Sequence, residues 1–358
     1  MKSTLKKMAL TLFSLIFALF LAELAVRGLP LLPITSMGLV MQQDPILDHS
    51  LRPFSRGRMK SREYDVTYEI NSFGLRDVEP EEGSVMILGD SFMEGYGVKE
   101  SDALAALLRS KGMKIVNAGV KSYSPLLEYL YLKHRGLKLK PSKVILFFDL
   151  SDPANDQYYS GRLVTAKDGT PEYITPKTSG LLVPKGRLFG WLNTHSSLFA
   201  YVLHRLHKIF PGQAEDLGYT GETIANNLLF AARDSEPDDT YYPRWNKSLS
   251  YILNIQDLLK KNNIPFTLVT YPYGHQVSVD AWKEGRRAHH FPDGVSSDRP
   301  FRFLEQWSKE NDIDFFSLDE VFLSHPEPGS LYFTYDGHWT PEGHRVAANA
   351  TYDFLSKP

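Results

Sequence analysis

The sequence predicts an α/β fold: a three-layer α/β/α domain with a central, mostly parallel five-stranded sheet, preceded by one N-terminal transmembrane helix. Three observations support this prediction. Short apolar runs alternate with amphipathic stretches from residue 84 onward, the first 30 residues are apolar after a basic start, and a serine follows the first buried run. Strands that alternate with helices favour a parallel sheet covered on both faces, with ligands at the carboxyl ends of the strands.

The first element is the apolar N-terminus. Lys2, Lys6 and Lys7 precede an apolar run from Met8 to Ala22, which continues to Val26. A run of this length predicts a membrane span of about 20 residues. Because the basic side stays in the cytoplasm, we expect a single-pass inner-membrane protein with the bulk of the chain in the periplasm. A cleaved signal peptide has the same basic start and apolar centre and is the alternative.

The chain then divides into an N-terminal anchor or signal (1–30), an extended segment that packs on the main domain (31–83) and the main domain (84–358). In the extended segment, alternation from Tyr64 to Ile70 predicts one half-buried strand. The main-domain strands are predicted at Val85–Leu88, Lys114–Val116, Val144–Phe148, Pro265–Thr270 and Ile313–Phe316. Helices are predicted at 103–108, 123–136, 248–262, 302–311 and after Thr340.

One connection in the main domain is too long for a single crossover. About a hundred residues separate the third predicted strand from the fourth, whereas a crossover needs far fewer. This length predicts an inserted cap at about 157–245, with helices of its own near 190–207 and 220–233.

Composition excludes several classes of function. The chain of 358 residues is 42% hydrophobic and can bury a large core. Its formal net charge is −2, so it has no electrostatic footprint for nucleic acid. It contains no cysteine, which excludes disulfides, thiol catalysis and thiolate metal sites.

A serine is placed where a nucleophile would be expected. Ser91 follows the first main-domain strand, and Gly95 and Gly97 keep side chains away from the loop after it. The same serine position also suits a residue that caps the next helix.

The C-terminal part of the chain favours the nucleophile. Asp336 and His338 directly precede a helix with Thr340 as its N-cap and Pro341 at its first position. A histidine held beside a carboxylate can take the hydroxyl proton of a serine, while the aspartate orients the ring and stabilises the imidazolium.

Three ordered blocks carry a family resemblance: GDSF at Gly89 to Phe92, NAG at Asn117 to Gly119, and DGH at Asp336 to His338. With these blocks the chain resembles the SGNH, or GDSL, hydrolase superfamily over about residues 84–355. The single residue between aspartate and histidine makes it most similar to the membrane-anchored polysaccharide O-acetyltransferase and esterase branch that includes the alginate-modifying proteins. The resemblance implies a flavodoxin-like sheet order.

The resemblance also implies a mechanism. Ser91 would attack an ester carbonyl, His338 would serve as general base and then acid, and Asp336 would orient it. The oxyanion would be held by the backbone N–H groups of Ser91 and Gly119 and by one side-chain donor. Where the family has an asparagine, this chain has Ser151, with Asn155 four residues later. No cofactor and no metal are expected.

The loop after the fourth strand opens toward the same edge of the sheet. Its Tyr273, His275 and Arg286 are candidates for substrate binding, because tyrosine and histidine rings stack on sugars and arginine meets anionic groups. Ordinary packing of the loop is the alternative.

Together these features predict an acyl-ester hydrolase or O-acyltransferase that adds or removes acetyl groups on an exported polysaccharide. The expected partners are an acylated glycan or other ester, the membrane, and polysaccharide-export or acyl-donor membrane proteins, with no nucleic acid. The alternatives are a non-catalytic glycan-binding or export-complex component of the same fold, and an esterase of lipids or small esters.

Overall fold

The computed structural model describes residues 2–28, 34–35, 40–175, 191–192, 196–209, 238–288, 291 and 297–357. Its first element is helix α1, Lys2–Gly28. The part of α1 from Lys6 to Val26 is long and apolar enough to cross a membrane. Nearly all of its side chains are exposed.

The segment before the main domain contains more strands than the one predicted. Its strands are β1 (Ile34–Thr35), β2 (Met41–Asp44), β3 (Asp48–Leu51), β4 (Arg56–Lys60) and β5 (Asp65–Glu69). Strands β1, β4 and β5 form one antiparallel sheet, and β2 pairs with β3. The predicted strand is β5. The others escape sequence analysis because they are short and rich in polar residues, so they lack the apolar alternation that indicates a strand.

The central sheet has the predicted architecture. Its strands are β6 (Val85–Leu88), β7 (Ile115–Asn117), β8 (Lys143–Phe148), β11 (Phe266–Thr270) and β12 (Asp314–Ser317). The order across the sheet is β7-β6-β8-β11-β12, and all neighbours are parallel. The chain leaves β6 for the edge strand β7 and returns to β8 on the other side of β6. The carboxyl ends of β6 and β8 therefore flank a topological switch point, where such sheets bind ligands.

Helices cover both faces of this sheet. The helices that follow α1 along the chain are α2 (Ser91–Glu94), α3 (Leu104–Ser110), α4 (Pro125–His134), α5 (Asp152–Ser160), α6 (Ser197–Ile209), α7 (Asp238–Lys261), α8 (Gly274–Val277), α9 (Lys283–Ala288), α10 (Arg299–Glu310), α11 (Asp319–Leu323) and α12 (Pro341–Leu355). Alternate side chains of β8 enter two separate clusters. Val144, Leu146 and Phe148 pack with α4 and α7, whereas Ile145 and Phe147 pack with α3 and α12. This alternation produces the predicted three layers.

The long connection between β8 and β11 contains α5, the hairpin of β9 (Leu163–Thr165) and β10 (Pro171–Ile174), and α6. Helix α6 corresponds to the prediction near 190–207. The predicted helix near 220–233 lies outside the described residues. In α1, the Glu23 carboxylate accepts hydrogen bonds from the backbone N–H groups of Ser197 and Leu198, at the start of α6.

The N-terminal segment is held against the main domain by a buried arginine. The Arg76 guanidinium donates to the carbonyl oxygens of Glu94, Gly95 and Val98, in the loop that follows Ser91. These hydrogen bonds, together with the Tyr68 ring 3.8 Å from the guanidinium carbon, offset the cost of burying the charge. The loop after Ser91 is therefore shaped partly by a residue that precedes the central sheet.

Candidate active site

Ser91 is the first residue of α2, directly after β6. The Asp90 carboxylate caps this short helix by accepting the N–H of Phe92 at 2.9 Å. The helix ends at Gly95, whose φ is +79° and where a Cβ would lie 2.9 Å from the Cβ of Ala103. Only glycine suits both the left-handed backbone and this close approach. Strand β6, the single turn of α2 and its termination at Gly95 together hold the Ser91 hydroxyl at the edge of the sheet.

The structure brings Ser91 together with Asp336 and His338, which lie near the other end of the sequence. Nε2 of His338 lies 2.8 Å from Oγ of Ser91. Nδ1 of His338 lies 2.5 Å from Oδ1 of Asp336. In the tautomer with a proton on Nδ1, the ring donates to the carboxylate and presents Nε2 as the acceptor of the serine proton. This is the arrangement required for activating a serine hydroxyl.

The loop that carries Asp336 and His338 is fixed at its end. The Thr340 hydroxyl caps α12 by accepting the N–H of Gly343 at 3.2 Å, and it donates to the carbonyl of Ser330. The predicted N-cap at Thr340 and first-turn proline at Pro341 are therefore confirmed. Because the Thr340 hydroxyl both donates and accepts a hydrogen bond, the backbone at Thr340 is fixed. The position of His338, two residues earlier, is restrained as a result.

Aromatic rings surround the imidazole. The ring of Tyr96 stacks on His338 at a centroid distance of 4.5 Å, and the ring of Phe92 lies 4.8 Å away. Burial disfavours the imidazolium, but the charge and hydrogen bond of Asp336 outweigh it and raise the pKa of His338. Burial likewise opposes ionisation of Asp336, yet His338 and hydrogen bonds lower the pKa of that carboxyl. The raised pKa of His338 and the lowered pKa of Asp336 have the same cause, because each residue stabilises the charged form of the other.

Two residues of the N-terminal segment reach this pair, and sequence analysis missed both. The Tyr64 hydroxyl donates to Oδ2 of Asp336 at 2.9 Å. The Glu63 carboxylate accepts the backbone N–H groups of Tyr335 and Asp336, each at 3.0 Å. The sequence marks Tyr64 only as an inward position of a strand, because a contact across 272 residues leaves no local signal.

A buried acidic network lies behind the serine, and it too was not predicted as a unit. The Tyr271 hydroxyl contacts Oδ2 of Asp149 at 2.9 Å and Oδ1 of Asp90 at 3.3 Å. The Tyr273 hydroxyl donates to Oδ1 of Asp149. Burial, reinforced by the Asp149 charge, raises the pKa of Asp90 to about 7. Asp90 is adjacent to the nucleophile candidate, with Oδ2 at 3.4 Å from Oγ of Ser91.

The predicted oxyanion donors lie in different settings. The Gly119 N–H donates to Oδ1 of Asn117 at 3.0 Å, so it is already occupied within the protein. A Cβ at Gly119 would lie 2.6 Å from the Glu94 nitrogen, which explains the glycine by packing. Ser151 is the N-cap of α5 and its N–H donates to Oδ1 of Asp149. Asn155 is buried in the first turn of the same helix.

Of the three predicted substrate-binding residues, Tyr273 lies next to the site. Its ring lies 6.0 Å from the Phe92 ring, and its hydroxyl contacts Asp149. His275 is only 6% exposed and packs against Phe291, and burial lowers its pKa to about 3. Arg286 is 3% exposed and donates to the backbone carbonyls of residues 278 and 279. For His275 and Arg286, the structure therefore favours the alternative of loop packing.

The described residues contain no group of three or more histidine, aspartate and glutamate side chains that could hold a metal ion. The carboxylates that follow β8 are instead used within the fold. Asp152 accepts the Asp149 N–H at 2.9 Å, and Asp156 accepts from Ser124 and from the Leu126 N–H.

Comparison with solved structures finds SGNH-type proteins at low similarity. An acetyl xylan esterase is 16% identical, with 76% of this chain and 99% of that chain covered and a TM-score of 0.39. A member of the lipolytic protein G-D-S-L family from Veillonella parvula DSM 2008 is 10% identical, with 77% and 99% covered and a TM-score of 0.39. The sheet order, not these overlaps, defines the fold. No curated protein sequence matches the chain significantly.

Comparison with protein families gives a more specific result. Residues 226–358 match the family model described as SGNH hydrolase-like domain, acetyltransferase AlgX. The matched range contains Asp336 and His338, whereas Ser91 precedes it. The resemblance drawn from the three sequence blocks is thereby confirmed, and the chain is similar to the SGNH hydrolase superfamily and to its AlgX-like branch.

Proposed function

We propose that this protein is an acyl-ester hydrolase or O-acyltransferase in which Ser91 is the nucleophile, His338 the general base and Asp336 the residue that orients the imidazole. One observation carries the proposal: Oγ of Ser91 lies 2.8 Å from Nε2 of His338, whose Nδ1 is held by Asp336. This geometry supports direct proton transfer from the hydroxyl to the ring.

The reaction proceeds in two acyl transfers. Oγ of Ser91 attacks the ester carbonyl while Nε2 of His338 takes its proton. The protonated His338 then gives that proton to the departing alcohol, which leaves an acyl-serine. Water or a sugar hydroxyl next attacks the acyl carbon, its proton passes to His338 and then to Ser91, and the acyl group leaves.

The oxyanion of each tetrahedral intermediate needs hydrogen-bond donors. We assign the N–H of Ser91 and the side chain of Ser151 as donors, with the side chain of Asn155 as the alternative to Ser151. The Gly119 N–H joins them only if it exchanges its bond to Asn117 for one to the substrate. Each donor lost from such a site typically reduces the rate by about a hundredfold or more.

The proposed substrate is an acetylated polysaccharide outside the cytoplasm. The matched family is named for an acetyltransferase, and α1 supplies a helix that suits a single inner-membrane span. The lysines that precede the apolar stretch favour a periplasmic location for the main domain. There, polysaccharide-export and acyl-donor membrane proteins would be its partners.

A serine-directed fluorophosphonate probe tests the nucleophile. We expect label on the detergent-solubilised full chain and on Ser110→Ala, which changes an exposed serine, and none on Ser91→Ala. Release of p-nitrophenol from p-nitrophenyl acetate should follow the same pattern. Label that persists on Ser91→Ala would contradict the proposal.

A second assay separates hydrolysis from transfer. The acetyl-enzyme, formed from p-nitrophenyl acetate, is supplied with oligosaccharide acceptors. Acetylated sugar that forms faster than free acetate indicates a transferase. A rate of acetate release that is unchanged by every acceptor, with no acetylated sugar formed, indicates a hydrolase.

A non-catalytic glycan-binding role is the second candidate, and the oxyanion site favours it. The Gly119 N–H is occupied by Asn117, and Ser151 offers a shorter donor than an asparagine amide. Retained binding of oligosaccharides by a wild-type chain that neither takes the probe nor releases acetate would support this role over catalysis.

A further inference from the structure

The turn between β4 and β5 reaches across the molecule to the Asp336 loop. This turn, residues 61–64, is shaped by Ser61, whose hydroxyl accepts the N–H groups of Glu63 and Tyr64 at 3.0 and 3.3 Å. The backbone closes with the Ser61 N–H on the Tyr64 carbonyl at 2.8 Å. The conformation of the turn is therefore fixed by hydrogen bonds within residues 61–64, independently of its contacts with the Asp336 loop.

Two side chains of this turn hold Asp336 at different points. Glu63 binds the backbone N–H of Asp336, and its other oxygen binds the N–H of Tyr335. Tyr64 binds the side chain, with its hydroxyl on Oδ2 at 2.9 Å. Oδ1 of the same carboxylate is the atom that contacts His338. Oδ1 also accepts the backbone N–H of His338 at 3.3 Å, so Oδ1 is held by His338 and Oδ2 by Tyr64.

The Tyr64 ring is itself fixed. It lies 5.2 Å from the Phe333 ring and 6.2 Å from the Tyr96 ring, and Tyr96 in turn stacks on His338. A Cβ at Gly97 would approach the Tyr64 ring to 3.0 Å, so the loop after Ser91 also packs on it. Burial raises the pKa of Tyr64, and the neighbouring acid and tyrosines add to this effect, so its hydroxyl remains a donor.

We propose that Tyr64 is a positioning residue for the reaction of Ser91, holding the Asp336 carboxylate in the plane that aligns His338. The proposal deepens the proposed function and rests on it. Without the Tyr64 hydroxyl, Glu63 still holds the backbone of Asp336 and Oδ1 still accepts the backbone N–H of His338, but Oδ2 loses the hydrogen bond that fixes the plane of the carboxylate. His338 then loses part of the hydrogen bond that fixes its tautomer and direction.

Tyr64→Phe tests this directly, because it keeps the ring packing and removes only the hydroxyl. Tyr173→Phe makes the same chemical change on the partly exposed hairpin strand β10 and is the matched control. In the full chain we expect Tyr64→Phe to lower kcat by about tenfold or more at unchanged KM, the loss typical of one hydrogen bond to a charged group. We expect Tyr173→Phe to match the wild type.

The pKa of His338 gives a readout that simple loss of structure would not produce. The titratable groups that interact with His338 are Asp336, Asp90, Lys121, His344 and Tyr96. Burial lowers the pKa of His338 and Asp336 raises it, so a carboxylate that swings away lets this pKa fall. The acidic limb of kcat/KM should therefore move to lower pH in Tyr64→Phe while the plateau falls.

The same pKa can be measured without catalysis, by NMR titration of 15N-histidine-labelled full chain in the Ser91→Ala background. A fall in the pKa of His338 on adding Tyr64→Phe, with Tyr173→Phe unchanged, supports the positioning role even if the wild type proves inactive, in which case only the proposed function fails. An unchanged pKa, or a rise, overturns the inference, since a rise would mean that Tyr64 only withdraws charge from a fixed carboxylate.

Discussion

Gly337, the single residue between Asp336 and His338, lies against the indole of Trp282. A Cβ at position 337 would lie 2.7 Å from Nε1 of that ring. The φ of Gly337 is +90°, a backbone conformation that residues with a side chain rarely adopt. The one-residue spacing of the Asp-x-His block thus depends on a position that has room for hydrogen alone.

Gly337→Ala should therefore damage both stability and activity. The backbone strain costs about 1–3 kcal/mol, and displacement of Trp282 or of the loop adds to it. We expect esterase activity to fall by more than about tenfold, because the movement shifts His338 relative to Ser91. Gly112→Ala is the control, since Gly112 also has a φ of +90° but a Cβ there would have nothing within 4 Å. Equal effects of the two substitutions on unfolding and activity would contradict the role of Trp282.

Asp336→Asn should retain the fold and lose most of the activity. The amide can donate to Nδ1 of His338, which would place the ring proton on Nε2 and leave no acceptor for the Ser91 hydroxyl. In serine hydrolases with this geometry the corresponding loss in kcat is on the order of ten-thousandfold. Steady-state kinetics with p-nitrophenyl acetate, beside a circular dichroism melt, measures both quantities. Activity within about tenfold of the wild type would show that Asp336 is not the orienting residue.

The pH dependence of activity should report the elevated pKa of His338. The general base must be neutral, and despite burial the Asp336 carboxylate holds the pKa of His338 above 6.5. Activity on an uncharged ester should therefore rise with pH and reach its half-maximum above pH 6.5. At pH 5.5 we expect a rate at least about tenfold below the plateau. A rate that stays constant down to pH 5 would be incompatible with His338 as the base.

The buried Glu128 should make stability depend on pH. Burial, followed by repulsion from Asp156 and other carboxylates, raises its pKa well above 4.5. Because the folded state keeps this proton when the unfolded chain has lost it, stability falls as pH rises above about 4.5, by at most about 1.4 kcal/mol per pH unit from this group. Glu128→Gln removes that penalty.

Urea unfolding at pH 5 and pH 8 measures this effect. The stability of Glu128→Gln relative to the wild type should increase between the two pH values. Glu305→Gln, at an exposed position of α10, should show no such increase. A relative stability of Glu128→Gln that is the same at both pH values would mean that Glu128 is ionised in the folded protein.

The central sheet could be predicted from sequence because its signal is local. Strands β6, β8 and β11 are short apolar runs, buried on both faces, and the helices between them carry apolar residues at helical spacing. The strands of the N-terminal segment could not be predicted in the same way. A strand such as β4, with the sequence RGRMK, is half exposed and depends on pairing with β5 rather than on its own composition.

For the site, sequence blocks located the residues that carry chemistry but not those that support them. Ser91 and His338 stand beside glycines, caps and prolines, which leave a readable pattern. Tyr64 stands in an ordinary strand alternation, and its contact with Asp336 exists only after folding. Gly119 is the opposite case. Its sequence block suggests an oxyanion donor, but in the structure its N–H is bonded to Asn117.

Because the turn at residues 61–64 supplies Tyr64 to the site, the effect of a proteolytic cut in the N-terminal segment depends on where the cut falls. A cut between α1 and β4 would break the covalent link between α1 and the main domain and leave the hydrogen bond between Tyr64 and Asp336 in place. A cut between β5 and β6 would break the covalent link between Tyr64 and the part of the chain that contains Ser91, Asp336 and His338. If α1 anchors the protein in a membrane and Tyr64 positions Asp336, a cut before this hairpin would free an active domain, whereas a cut after it would also lower the activity.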